Sequence, residues 1–388
     1  MESHKIYVDA IKKTGFVLED RVAQLLKAAG WTVISNKYYE DDHSSTVREV
    51  DLVAYKVSHV QHFDVYTVLI VSCKKSEENV WALLARDLNL KDPNSDWWPL
   101  HAWTNDPALH YKLAEAACAK RYHDAAAAAG VGASLSLPEV EVFAFQELSR
   151  ATGMSGSLRK NKPGKNDAVS ASSPKNDAAI FSSITSLMKA QAYELGALPN
   201  RKKTPSVYQF NLLSVADTEL LRMRFRETEI ECSPVQSEHY IGRYIINRRE
   251  TFSRIRFIQA DAFNEALSDY SQLHQANHSW FSAECAAFYF EIVKDWKRSQ
   301  VLIDAFRKEI SGFVIRQALA KGSEKVDMST ADLEFSHSSD ELNVTVNGSL
   351  EAVKPLQRSA EVKAHVANAL KKVYRYSGPF DFAADIPF

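Results

Sequence analysis

The spacing of apolar residues is first helical and then changes to runs. Ile6, Val8, Ile11, Val22, Leu25, Leu26 and Ala29 give much of 5–29 a helical period. Gly30 stands where a glycine commonly ends a helix. Residues 31–35 predict a short strand, 38–46 a polar, acidic loop, and 47–57 a second strand. The third strand, 66–72, draws on the unbroken apolar run from Val65 to Val71, as expected of a strand buried on both faces. Residues 77–90 and 108–129 read as helices and 140–145 as a strand. The order α-β-β-β-α-α-β predicts an α/β sandwich with a mixed sheet rather than a regular β-α-β repeat.

Residues 151–178 break the pattern with Ser, Gly, Lys and Asn, which predicts a flexible basic insertion. A helix is expected at 178–196, strand regions at 207–226 and 241–258, and a helix at 262–275. Residues 282–321 read as a long helical stretch broken near Gly312. A β-hairpin is expected at 332–337 and 341–346, and a last helix at 359–374. The boundary falls near 280, giving a domain of 1–280 and a smaller α+β appendage of 281–388.

Composition narrows the class. With 47 basic and 49 acidic residues the net charge is −2, and 45% of the 388 residues are hydrophobic. That is an ordinary globular balance, and it excludes a polycation binding nucleic acid by overall charge. By region, 1–150 holds 16 basic and 21 acidic groups, while 151–260 holds 17 and 10. The four cysteines form no C-x-x-C pair, which points to reduced thiols in a cytoplasmic protein. No apolar run is long enough to span a membrane.

The candidate chemistry lies at three positions. Glu19 is on the first helix, Asp51 is in the strand Val47 to Ala54, and Lys74 follows the apolar third strand in Ser72-Cys73-Lys74-Lys75. Metal-assisted phosphodiester cleavage uses such groups. Carboxylates bind Mg²⁺, and a lysine steadies the attacking water and the developing charge.

In this order the residues resemble the P-D-(D/E)-x-K, or restriction endonuclease-like, superfamily. Glu49-Val50-Asp51 resembles its first strand motif, and Leu69 to Lys74 resembles its acid-x-Lys strand. The resemblance covers about residues 5–90. It implies a restriction endonuclease-like α/β/α sandwich and a Mg²⁺-dependent (or Mn²⁺-dependent) DNA endonuclease, serving defence against foreign DNA or DNA repair. Asp51 would be a metal ligand, Lys74 the catalytic lysine and Glu19 the helix acid. The family's acid before x-Lys is Ser72 here. Three readings stay open: Glu49 compensates from the same strand face, Glu78 reaches in from the next segment, or the fold is catalytically silent and serves as a DNA-binding or protein-interaction module. Cutting two strands would suit a homodimer, though no residue argues for one.

A polyanion has one further candidate surface. Arg222, Arg224 and Arg226 alternate along a strand, as do Arg254 and Arg256. If those strands pair, the five form a basic face suited to phosphates; the competing expectation is salt bridging to nearby acids. The linker cations Arg159, Lys160, Lys162 and Lys165 would add non-specific attraction. His59 with His62 and His101 with Asp106 and His110 match no metal motif. Trp97, Trp98 and Trp103 suit a core edge better than a base-stacking platform.

Overall fold

The computed structural model describes residues 2–41, 46–135, 137–150, 172–320 and 327–385. Most of the expected flexible insertion, 151–171 with its four linker cations, lies outside them, as do residues 42–45 of the acidic loop. The chain divides into two compact units. One comprises Met1–Asn105 and Ala116–Trp280, the other Asp106–Glu115 and Phe281–Phe388.

In the first unit, helices α1 (Glu2–Lys12) and α2 (Phe16–Ala28) lead into an antiparallel meander. Its strands are β1 (Thr32–Glu40), β2 (Val47–Val60) and β3 (Phe63–Lys75). Gly30 has φ +78°, the left-handed conformation that lets the chain leave α2 without a Cβ penalty. Next come β4 (Asn79–Asp87) and β5 (Ala102–Thr104), then α3 (Pro107–Leu113), which belongs to the second unit. The first unit resumes with α4 (Cys118–Ala128), α5 (Gly132–Leu135), β6 (Val140–Ser149), β7 (Pro174–Lys175) and the long α6 (Ala178–Arg201). Five strands follow: β8 (Ser206–Asp217), β9 (Leu220–Phe225), β10 (Ile230–Val235), β11 (Ser237–Ile246) and β12 (Arg249–Gln259). Helix α7 (Phe263–Tyr289) begins in the first unit and ends in the second.

The large sheet has the order β1-β2-β3-β8-β12-β11, with β5 also paired to β8. β3, β8 and β12 run parallel, and the outer strands are antiparallel to their neighbours. A second sheet has the order β10-β9-β4-β6-β7. One face of the large sheet is covered by α2, α4 and α7 through Leu18, Val22, Tyr122 and Phe263. The other is covered by α6 and the second sheet through Ile184, Leu187, Trp81 and Leu83. Both sheets mix parallel and antiparallel pairs, so the fold is mixed α/β.

The second unit adds α8 (Trp296–Gln300), α9 (Ile303–Ala320), β13 (Asp327–Ser336), β14 (Glu341–Asn347), α10 (Leu350–Arg358), α11 (Ala360–Tyr374) and β15 (Phe380–Asp385). β14 pairs antiparallel with β13 and parallel with β15. Ser349 and Ser359 cap α10 and α11 by accepting the Ala352 and Val362 N–H groups.

Three expectations are corrected. Residues 77–90 are no helix; they hold β4, paired on both sides by β6 and β9. Trp81, Ala82, Leu83 and Ala85 are all buried there, and a strand buried on both faces loses the alternation that would have marked it. The stretch 282–321 is divided among the end of α7, the short α8 and α9, whereas α9 passes straight through Gly312. The expected helix 108–129 is two helices, α3 and α4, parted at 114–117.

Leu69, fully buried at the centre of β3, tests this arrangement. Leu69→Ala should cost about 2–5 kcal/mol, read as a lower urea midpoint for the first unit.

Candidate active site

The site forms where two strands part. β2 pairs with β1 from Val47 onward but with β3 only from Leu52, opposite Val71. The end of β3, Ser72 to Lys75, stays paired with β8. Asn36 sits at the parting with φ +52°, skipped between the pairs Ser35↔Leu52 and Lys37↔Val50, and its amide donates to Glu49 Oε1. The Cys73 N–H, which has no β2 carbonyl opposite it, donates instead to Asp51 Oδ2 at 2.6 Å. A carboxylate thus replaces a ladder bond that would otherwise leave a polar group unmet.

Electrostatics tie the other groups to this point. Glu19, in the first turn of α2, takes up its proton more readily than an ordinary glutamate. Partial burial is the first cause, followed by the charges of Asp51 and Glu49, with Lys74 opposing. Burial pushes the Cys73 thiol well up, with Asp51 and Glu19 adding to it and Lys74 again opposing. Glu19, Asp51, Cys73 and Lys74 are therefore within one another's fields. Glu49 joins them from an exposed position.

Ser72 is the exception. Leu69, Val71 and Cys73 pack with Leu18 and Val22 of α2. Val68 and Ile70 pack on the α6 side. Ser72 belongs by alternation to the α6 side, across from Ser214, whose Oγ lies 2.9 Å from Ser183 Oγ of α6. Its own hydroxyl is buried with no partner among the described residues. The β3 residue that faces Glu19 is Cys73, so the expected placement of Ser72 beside the acids is corrected. Lys75 shares the side of Cys73; its ammonium donates to the Lys12 carbonyl at 2.6 Å and pairs with Glu77 at 2.9 Å. Glu78 is exposed in the turn before β4 rather than on a helix.

Among the described residues no group of three or more His, Cys, Asp or Glu side chains is placed to hold a metal ion. Glu19, Glu49 and Asp51 do not close into a cage. Their donor chemistry still fits a Mg²⁺ ion that takes one or two carboxylates and fills its octahedron with water and phosphate oxygens. Beside Lys75, where β3, β8 and β12 end together, a crevice of about 650 Å³ opens between Lys75, Asp217 and Gln259. The carboxyl ends of parallel strands are where open α/β sheets commonly bind ligands.

The two arginine rows form no common face. β9 and β12 lie in different sheets and do not pair. Arg222 binds Glu238 at 2.6 Å and Glu139 at 3.2 Å, Arg224 binds Asp87 at 2.6 Å, and Arg226 reaches Asp87 and Glu231. Arg256 is buried on Asp269 at 2.8 Å, and Arg254 donates to the Trp97 carbonyl at 2.9 Å. The competing expectation of salt bridging holds, although only Glu231 is an acid near in sequence. His101 is in the first unit, Asp106 and His110 in the second. Burial pulls the His101 imidazole down, and it is held by the Phe252 carbonyl. Trp97 is buried, with its indole N–H on the Asn89 carbonyl.

Asn36 and Cys73 are the residues that sequence reasoning missed. Only the registers of β1 with β2 and of β2 with β3 bring them to the parting. No family model, curated protein or solved structure matches the chain.

The raised Glu19 gives a pH test. Its carboxylate costs stability above its folded pKa, and the cost vanishes below the ordinary value of 4.5. Glu19→Gln should raise Tm at about pH 8, and the gain should disappear as the pH falls below that value. A gain independent of pH would remove the proposed carboxylate coupling.

Proposed function

We propose that the chain is a nuclease of the restriction endonuclease-like kind, cleaving DNA phosphodiester bonds with Mg²⁺ or Mn²⁺. The observation that carries this reading is the Asp51 carboxylate held on the Cys73 N–H where β2 parts from β3, with Glu19 within reach of its charge. The sheet order β1-β2-β3-β8 supports it, with an antiparallel meander followed by a parallel strand and helices on both faces. These features suit the α/β/α sandwich that the sequence resemblance implies.

Asp51 and Glu19 would hold the metal, with Asp51 oriented by the Cys73 N–H at Oδ2. When bound, the ion would polarise the scissile phosphate and lower the pKa of an attacking water. Lys74 would steady the developing negative charge; by alternation it falls on the side of Ser72, so Lys75, on the side of Cys73, is the alternative lysine. The excess of negative charge around Glu19 makes a divalent cation welcome there.

One observation favours a second reading, a silent nuclease fold serving as a binding module. The β3 end offers Ser72 and Cys73 where the family has an acid, so no carboxylate on this strand joins Asp51. Plasmid DNA with Mg²⁺ or Mn²⁺ separates the two. Cleavage is expected, with Asp51→Ala and Lys74→Ala each slowing it by about a hundredfold or more. Cleavage that survives both substitutions removes the site. Because Cys73 rather than Ser72 faces Glu19, Cys73→Asp should raise the rate and Ser72→Asp should not. If neither the native protein nor Cys73→Asp cuts, the silent reading stands.

A further inference from the structure

On the α6 face of the large sheet lies a cavity of about 340 Å³. Val53, Val68 and Phe210 line it with buried apolar surface, and Leu198 of α6 adds to it. Tyr55, Tyr66 and Tyr208 supply aromatic walls. The Tyr66 and Tyr208 rings, neighbours across the β3–β8 pair, stack with centroids 4.2 Å apart and planes 1° from parallel. Tyr55 leans on Tyr66 at 5.8 Å. Burial, with Tyr66 beside it, pushes the Tyr208 hydroxyl well up, so this wall stays neutral.

The rim is charged in an asymmetric way. Glu194 takes both Lys37, at 2.8 Å, and Arg201, at 2.7 Å. Lys202 has no carboxylate partner among the described residues. Its ammonium donates to the Tyr66 hydroxyl at 2.8 Å and lies 4.6 Å from that ring's centroid. Three cations and one carboxylate therefore surround an aromatic hollow. Its volume falls at the lower end of the small-molecule range, roughly 300–1,000 Å³.

The hollow is separate from the acidic cluster. Tyr66 and Lys74 are eight residues apart on β3, about 26 Å along the strand. We propose that this cavity binds a mononucleotide, its base continuing the tyrosine row, its phosphate on Lys202, and its hydroxyl or amino donors on Glu194. A flat neutral ring satisfies the aromatic walls. A single phosphate answers the one ammonium that no acid neutralises. The proposal does not depend on whether the acidic cluster cuts DNA.

Isothermal titration calorimetry of the full chain with adenosine 5′-monophosphate tests it. Micromolar binding is expected, about tenfold or more weaker for adenosine and absent for inorganic phosphate. Lys202→Ala should reduce nucleotide affinity to that of the nucleoside. Ile34→Trp, at a partly exposed lining position, should fill the cavity and block both, while Ile34→Ala retains binding. No heat with the four common monophosphates at about 1 mM, or affinity unchanged in both Lys202→Ala and Ile34→Trp, overturns the proposal. A 5′-phosphorylated tetranucleotide that competes with the mononucleotide identifies a chain end as the ligand; one that fails to compete identifies the free nucleotide.

Discussion

β3 pairs in parallel with β8 without interruption from Asp64↔Ser206 to Lys75↔Asp217. Seven successive β3 side chains, 67–73, are buried between the layers on either side. An apolar strand sealed on both faces can satisfy its backbone only through its two edges. β8 takes one edge along nearly its whole length. The other edge is served by β2, and only as far as Val71. The α2 and α6 layers, and the parting that creates the acidic cluster, are arranged around this strand.

The same accounting explains where charge is tolerated. At the parting, an Asp51 carboxylate meets a backbone N–H, and the nearby Glu19 bears the electrostatic cost. In the second sheet, β9 carries Arg222 and Arg224, with Arg226 just past its end, each answered by an acid brought from elsewhere: Glu238 and Glu139, Asp87, and Glu231. The exposed pairs contribute little stability, while Glu238 is buried where it holds Arg222; together they leave the row no longer available as a free phosphate-binding surface. Arg254 and Arg256 belong to the large sheet and are turned toward its helical covering.

Much of this was legible in the sequence. The apolar run of β3, the glycine after α2 and the hairpin of β13 and β14 each carry a local signal. The cluster's order, helix acid then strand acid then lysine, was legible too. What was not legible depends on partners. β4 reads as a helix because Val80 to Ala85 is apolar on both faces, and only β6 and β9 reveal it as a strand. The side on which Ser72 and Cys73 fall depends on which layer covers each face of β3, and Cys73 is singled out only by where β2 stops pairing, at Leu52↔Val71. Arg224 and Asp87 are far apart in sequence and meet only because β4 and β9 lie side by side.

The β3–β8 pair also governs the order in which the molecule comes into being. Its partners are separated by roughly 140 residues, so the loop that joins them must close late and at an entropic cost. During synthesis, which proceeds from the N-terminus, the meander of β1, β2 and β3 emerges long before β8. For that interval this apolar strand has one open edge and an uncovered α6 face, the hallmarks of a surface prone to self-association. The strand that organises the finished fold is thus also a point of exposure in the nascent chain until β8 arrives.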